Sequence, residues 1–308
     1  MPPYQTSISQ HYNVRPFTSI TDGSPVEFLT SNGGSDYIDL GRTRLHVTLR
    51  VTHEDGSMLT DKEHVGPVNL FKQSLWSQVA VYLQGQLVSS NNGGYPYKAF
   101  IQTLLGYGAE AKDNQLQSQL FNKDKGETTA DFDSKDPLGG GNVPQFALMS
   151  GAPGTEYKIE LQDVYLKVYK LKMDNALVLV HAKQFENTNA LYPYMKTDIP
   201  QASISASQMT YTFDNLFLDQ CPSRLVGFVS GEGVNGSYTK HTFNFQGSNI
   251  KTVGLYLDGV SVPGRPVEAD DIETYVNLFE ATNIWREDKG NFIQKQSFSL
   301  STPYSSSN

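Results

Sequence analysis

Histidines, carboxylates and one thiol are the side chains of this 308-residue chain that could do acid–base, metal or nucleophilic chemistry. The densest group is His53, Glu54 and Asp55 with Asp61, Glu63 and His64, two imidazoles and four carboxylates within a dozen residues. Imidazole and carboxylate suit zinc or manganese. The spacing fits no helical or hairpin ligand pattern, however, and the segment reads as a solvated polar loop. The acidic run Glu268, Asp270, Asp271 and Glu273 lacks the glycine and spacing of a calcium loop. Asp271 and Glu273 are instead placed to cap and complement the N-terminus of a following helix. Cys221, in DQCPSR, has no evident histidine partner, and no G-x-S-x-G elbow occurs, so it reads as a buried or inert thiol.

Gly231, Gly233 and Gly236 spell G-x-G-x-x-G, but the next residues, SYTKHTFNF, are β formers rather than the helix that a pyrophosphate site needs. This is a turn. His46 and His181 lie in apolar-patterned segments and are expected to pack against their own elements. The sequon at Asn235 carries no weight without a secretion signal. No catalytic, cofactor-binding or metal-binding residue is therefore expected, and no enzyme. Tyr95, Tyr97 and Tyr107, or Tyr192 and Tyr194, could form a sugar-stacking face, since jelly rolls serve as lectins. They could equally be core and interface anchors.

The elements that must carry these residues are mainly strands. Leu45, Val47, Leu49 and Val51 alternate with Arg44, His46, Thr48 and Arg50, which predicts a strand with one buried and one wet face. Residues 78–88 alternate about Gln84-Gly85 and predict a hairpin. Tyr157–Met173 alternates over a long span with Val164, Leu166, Val168 and Leu171 as its apolar side, and a phase slip near Tyr169 suggests a bulge. Short strands are expected at 209–213, 224–230, 241–245 and 249–257. Helices are expected at 97–105, 174–185 with Asp174 as N-cap, and 271–284, with a weaker one at 109–121. Residues 122–141 form a polar, glycine-rich loop, and the Ser-rich tail 301–308 is expected to fray.

Composition sets the broad class. Hydrophobic residues make up 38% and aromatics 11%, enough apolar surface to exclude a disordered chain. The net charge of −8 argues against wrapping nucleic acid over the whole surface, and leaves room for a local basic patch. One cysteine permits no intrachain disulfide, and a cytosolic or nuclear folding compartment is expected. The N-terminal residues MPPYQTSISQHYNVRPF lack the apolar run of a signal peptide. The longest apolar stretch, residues 176–182, is far short of the roughly 20 residues that span a bilayer.

An internal repeat organises the chain. Val79, Tyr82, Leu83, Gly85 and Val88 recur 174 residues later as Val253, Tyr256, Leu257, Gly259 and Val262. With one residue inserted, Phe100, Ile101, Gln102 and Leu104 recur as Tyr275, Val276, Asn277 and Phe279. A strand–turn–strand–helix unit occurs twice, which predicts two copies of one β-rich domain.

The runs PVEFL, SDYIDLGRTRLHVTLRVTHEDG, VGPVNLFKQSLWSQVAVYLQGQLVSS and YPYKAFIQTLLGYG resemble a family of transposon-derived proteins similar to the capsid proteins of Maverick/Polinton elements and adintoviruses. HAKQFENTNALYPY, QCPSRLVGFVSGEGVNGSYTKHTFNFQ and LYLDGVSVPGRP extend the similarity over most of residues 16–290. The resemblance implies an all-β chain of two tandem jelly-roll sandwiches with short helices, a double jelly roll. The first roll would be 1–173, with a polar loop at 122–156, the second 174–300, and the tail 301–308. Relative to the family pattern, strands are missing after Gly141 and at the C-terminus, so both rolls are expected to be incomplete, with open sheet edges.

The implied function is that of a structural capsid protein of the virion, assembled in the host nucleus or cytoplasm. Three chains would form a homotrimeric capsomer and then a shell, with a penton or minor capsid protein as a further partner. The duplication argues against the single-roll penton role itself. No cofactor, membrane or specific nucleic-acid partner is implied. The alternative is a lectin-like attachment module using the tyrosines above.

Overall fold

The computed structural model describes residues 6–21, 23–31, 36–60, 63, 65–89, 93–121, 148–150, 156–205, 207–217, 221–227, 242–243, 245, 250–268, 271–286, 290, 293 and 295. The chain is mostly β, built from small antiparallel sheets with few helices. It divides into two compact units, each made of two separate chain segments. The first comprises Met1–Leu59 and Tyr157–Met195, the second Thr60–Glu156 and Lys196–Asn308. These units cut the chain differently from the expected 1–173 and 174–300, because residues 157–173 pair with the N-terminal strands rather than with the intervening segment.

In the first unit, strands β1 (Thr6–Val14), β2 (Asp36–His53) and β7 (Tyr157–Met173) form a sheet with β7 in the middle. The expected strand at Tyr157–Met173 is present over that span. Val47 lies opposite Val164 and Leu45 opposite Leu166. Val164 and Val168 are fully buried, each worth about 1.5–3 kcal/mol. Val47, Leu49 and Val51 are half-buried, whereas Leu45 stays exposed.

The bulge in β7 lies at Gln162, not near Tyr169. Thr48 pairs with Asp163 and Leu49 with Leu161, so Gln162 is the extra residue. The physical reason is a change of phase: Tyr157, Ile159 and Leu161 precede it, and Val164, Leu166 and Val168 follow it. One unpaired residue returns both sets to a single face. Near Tyr169 the irregularity belongs to β2, where residues 40–43 lie between the partners of Tyr169 and Lys167. There β7 pairs regularly with β1.

Helix α4 (Asn175–Phe185) follows directly, and the Asp174 carboxylate accepts from the Ala176 N–H at 2.8 Å, as a cap should. His181 shares a hydrogen bond of 2.9 Å with the Tyr37 hydroxyl, which ties α4 to β2.

Among its described residues the second unit holds three two-stranded sheets: β3 (Val65–Pro67) with β6 (Leu148–Ser150), β4 (Tyr82–Leu83) with β5 (Gln86–Leu87), and β8 (Thr252–Leu257) with β9 (Val260–Glu268). Its helices are α1 (Phe71–Ser74), α2 (Tyr95–Gly106), α3 (Ala109–Asp113) and α5 (Ile272–Ala281), with a 3-10 turn at Gln115–Gln119. Leu70, Leu116 and Phe121 form a buried cluster, against which Phe100 packs. The Phe100 ring lies parallel to Phe243 at 4.4 Å, and Tyr97 meets Phe243 edge-on at 5.7 Å.

The expected helices at 97–105 and 271–284 are present as α2 and α5, and 109–121 folds as two short helical pieces. Of the short strands expected later, 252–257 forms. The described parts of 209–213 and 224–230 form none, because no second backbone pairs with them. The loop 122–141, the tail 301–308, Gly231 to Gly236 and Asn235 lie outside the described residues.

Candidate interaction surfaces

The repeated segments share a turn and a following helix, whereas their strands differ, two residues each in β4 and β5 against six in β8 and nine in β9. Both hairpins turn with paired left-handed residues, Gln84 (φ 49°) and Gly85 (φ 80°) in one, Asp258 (φ 50°) and Gly259 (φ 81°) in the other. Two consecutive positive φ values define a type I′ turn, whose twist matches that of the flanking strands. The repeated tyrosines are also equally placed: Tyr82 is 60% exposed and Tyr256 59%. A helix follows each hairpin, α2 after β5 and α5 after β9.

The helix starts differ. Gly94 precedes α2 with no side-chain cap, and Pro96 occupies its first turn. Before α5, the Asp271 carboxylate accepts from the Glu273 N–H at 3.1 Å. Arg265 of β9 reaches Glu273 at 2.8 Å and Asp271 at 3.4 Å. Asp271 and Glu273 therefore form the helix start, as expected of them, and Asp270 lies outside the described residues.

The residues flagged for metal chemistry have local roles where they are described. His53 ends β2 with its ring stacked on Tyr157 at 5.6 Å. Asp55 accepts hydrogen bonds from Ser57, which hold its carboxyl below the usual range. Glu63 accepts from the N–H and hydroxyl of Thr60 at 2.8 and 3.0 Å. Asp61 and His64 lie outside the described residues. No group of three or more metal-ligating side chains occurs among the described residues. Cys221, expected to be a buried or inert thiol, is exposed, and no strand among the described residues pairs with its segment.

Tyr97 is 5% exposed, a core residue under Phe243, and so is withdrawn from any sugar-stacking face. Tyr95 is half-buried, and burial pushes its phenol up. Tyr107, Tyr192 and Tyr194 are exposed. His46 stands on the wet side of β2, stacked on Tyr165 at 4.4 Å, and His181 is half-buried against Tyr37.

Among comparisons with known proteins, the chain is similar to the "Uncharacterized protein F54H12.2" of Caenorhabditis elegans. Identity is 25% over 303 residues, covering 83% of this chain and 72% of that protein. No family model and no solved structure matches. No helix among the described residues is long and apolar enough to cross a membrane.

Two features escaped the sequence reading. Helix α4 buries no residue, and leaves Leu179 (70% exposed), Val180 and Phe185 open; Leu191, Tyr192, Tyr194 and Met195 continue this exposed apolar run. The unbroken ALVLV, apolar all round, would ordinarily signal a buried helix. Lys112, at 2% exposure, is the second feature. Its ammonium donates to the Leu104 carbonyl at 2.7 Å, in the last turn of α2, and lies 6.0 Å from the Phe121 ring. Burial lowers its pKa to about 8. No pattern in the sequence separates this lysine from its exposed neighbours.

Proposed function

We propose that this chain is a structural protein that self-associates, a capsid-like subunit of double jelly-roll type that forms a trimeric capsomer and then a shell. The observation that carries the reading is the recurrence of one hairpin–helix unit with the same turn dihedrals and the same exposed tyrosine. A duplicated sandwich predicts such equivalence. Resemblance to the capsid proteins of Maverick/Polinton elements and adintoviruses supports it from the sequence side.

The apolar surface is consistent with burial between subunits. Leu179, Val180, Phe185, Leu191 and Met195 form one exposed run, and the hairpins expose Val79, Val81, Val253 and Leu257. Such surface in an isolated chain marks association sites. The short two-stranded sheets also leave backbone edges for neighbouring chains to cover.

Size-exclusion chromatography with light scattering tests the proposal. The expected species is three times 34.2 kDa, about 103 kDa, with hexagonal capsomers or particles by electron microscopy. A monomer that persists at high concentration would overturn it.

A further inference from the structure

The two faces of the β1–β7–β2 sheet differ in chemistry. Val164 and Val168 are buried on one side. On the other, Tyr165 and Tyr169 stand two pleats apart with Lys167 between them. His46 stacks on Tyr165, and His11 leans on Tyr169 at 4.8 Å. The Arg15 guanidinium lies 5.4 Å from the Tyr165 centroid, and the Arg42 guanidinium 4.9 Å from that of Tyr169. Each arginine also has a carboxylate, Asp163 for Arg15 and Asp39 for Arg42, at 3.5 Å in the second pair.

The centre of this face is not neutralised. The register puts Arg44 directly opposite Lys167, both exposed. Arg44 donates to the carbonyls of Gly41 and Thr43, at 2.9 and 3.1 Å, and Lys167 has no charged partner among the described residues. Like charges directly opposite across a ladder destabilise it. They persist in a chain whose net charge is −8. Two cations at directly opposite ladder positions, their Cα atoms about 5 Å apart, suit a partner with closely spaced anionic charges. A nucleic-acid strand carries a phosphate about every 3.4 Å of helix axis.

We propose that this face, centred on Arg44 and Lys167, binds the phosphodiester backbone of nucleic acid without sequence preference. The tyrosine rings are already covered by imidazole and guanidinium, so binding rests on phosphate contacts rather than on base stacking. Arg15 and Arg42, each already paired with a carboxylate, flank this centre. The inference does not depend on the capsid reading, and the two fail separately.

Fluorescence anisotropy of the full chain with a labelled 20-base-pair duplex of random sequence, and with the matching single strand, tests the proposal over a salt titration. The wild type should bind both, more weakly as salt rises. R44E/K167E should weaken binding at least tenfold near 100 mM salt and lower the slope of log K against log salt by about 2. The control K72E/K251E changes the net charge equally, at exposed lysines of the second unit, and should alter affinity less than threefold. Circular dichroism and elution volume verify that both variants fold. If R44E/K167E does not fold, R44Q/K167Q keeps the test open, with a smaller loss in the same direction.

Absence of binding by the wild type at 50 mM salt would overturn the proposal, as would equal losses in the two charge-reversed variants. Tighter binding to vesicles of anionic phospholipid than to DNA would overturn it too. So would a change of oligomeric state in R44E/K167E with DNA binding intact, which would assign the face to a second copy of the chain.

Discussion

The two hairpin–helix copies share a turn and differ in what holds their helices. Helix α2 buries Pro96, Tyr97, Thr103 and Leu105 and is finished by Lys112 on its last turn. Helix α5 fully buries none of its residues; the Asp271 cap and Arg265 hold its acidic first turn, and half-buried Tyr275 meets Phe279 and donates to the Ile293 carbonyl. One sequence pattern thus gives the same local structure under two regimes, one stabilised by packing and the other by capping and charge. Duplication preserves what neighbouring residues in the chain specify; surroundings then set how much each copy contributes to stability.

Substitutions at equivalent positions sharpen that contrast. Tyr97→Ala should cost about 3–5 kcal/mol in urea unfolding, since it removes a buried ring and leaves a cavity under Phe243. Ile272→Ala, one repeat away and 54% exposed, should cost less than about 1 kcal/mol. Comparable losses at the two sites would break the distinction.

Lys112 predicts a pH dependence confined to the packed copy. An unfolded lysine titrates near 10.4, and burial brings Lys112 to about 8. Between these values the unfolded chain holds the extra proton, so stability through this group rises as pH increases from 8 to about 10. Below 8 both states are protonated, and the cost of burying the charge is constant. Thermal unfolding should show a gain of a few degrees over that window. Lys112→Met should abolish that gain.

The smallest effect belongs to the capped copy. Asp271→Ala should cost about 1 kcal/mol by loss of the N-cap, and a good part of Arg265's contribution should vanish with it. High salt should blunt the effect of Arg265→Ala, because that arginine is exposed. A salt-independent loss at Arg265 would show that it acts by packing instead.

Elements whose signal is local were readable in advance. The hairpin about Gln84-Gly85 and the long strand β7 followed from alternation, and the α4 and α5 starts from Asp174 and Asp271. The bulge was also written in the chain, as the change from Tyr157, Ile159 and Leu161 to Val164, Leu166 and Val168, but its position becomes clear only against the register of β2. The surfaces were less legible. Arg44 looked like one of several wet-face residues until Lys167 was found opposite, 123 positions away in the chain. The apolar run of α4 reads as core by composition, yet among the described residues Leu179 and Val180 stand exposed.

By itself the sequence determined one hairpin, the helix caps, strand alternation and a repeated segment, because each rests on the residue types and spacing of a few neighbours. Only the tertiary structure decided which strands pair, that Tyr97 and Lys112 are buried while Cys221 is open, and that cations gather on one sheet face. Those outcomes depend on a second stretch of backbone arriving from far along the chain, and no local pattern encodes which stretch arrives.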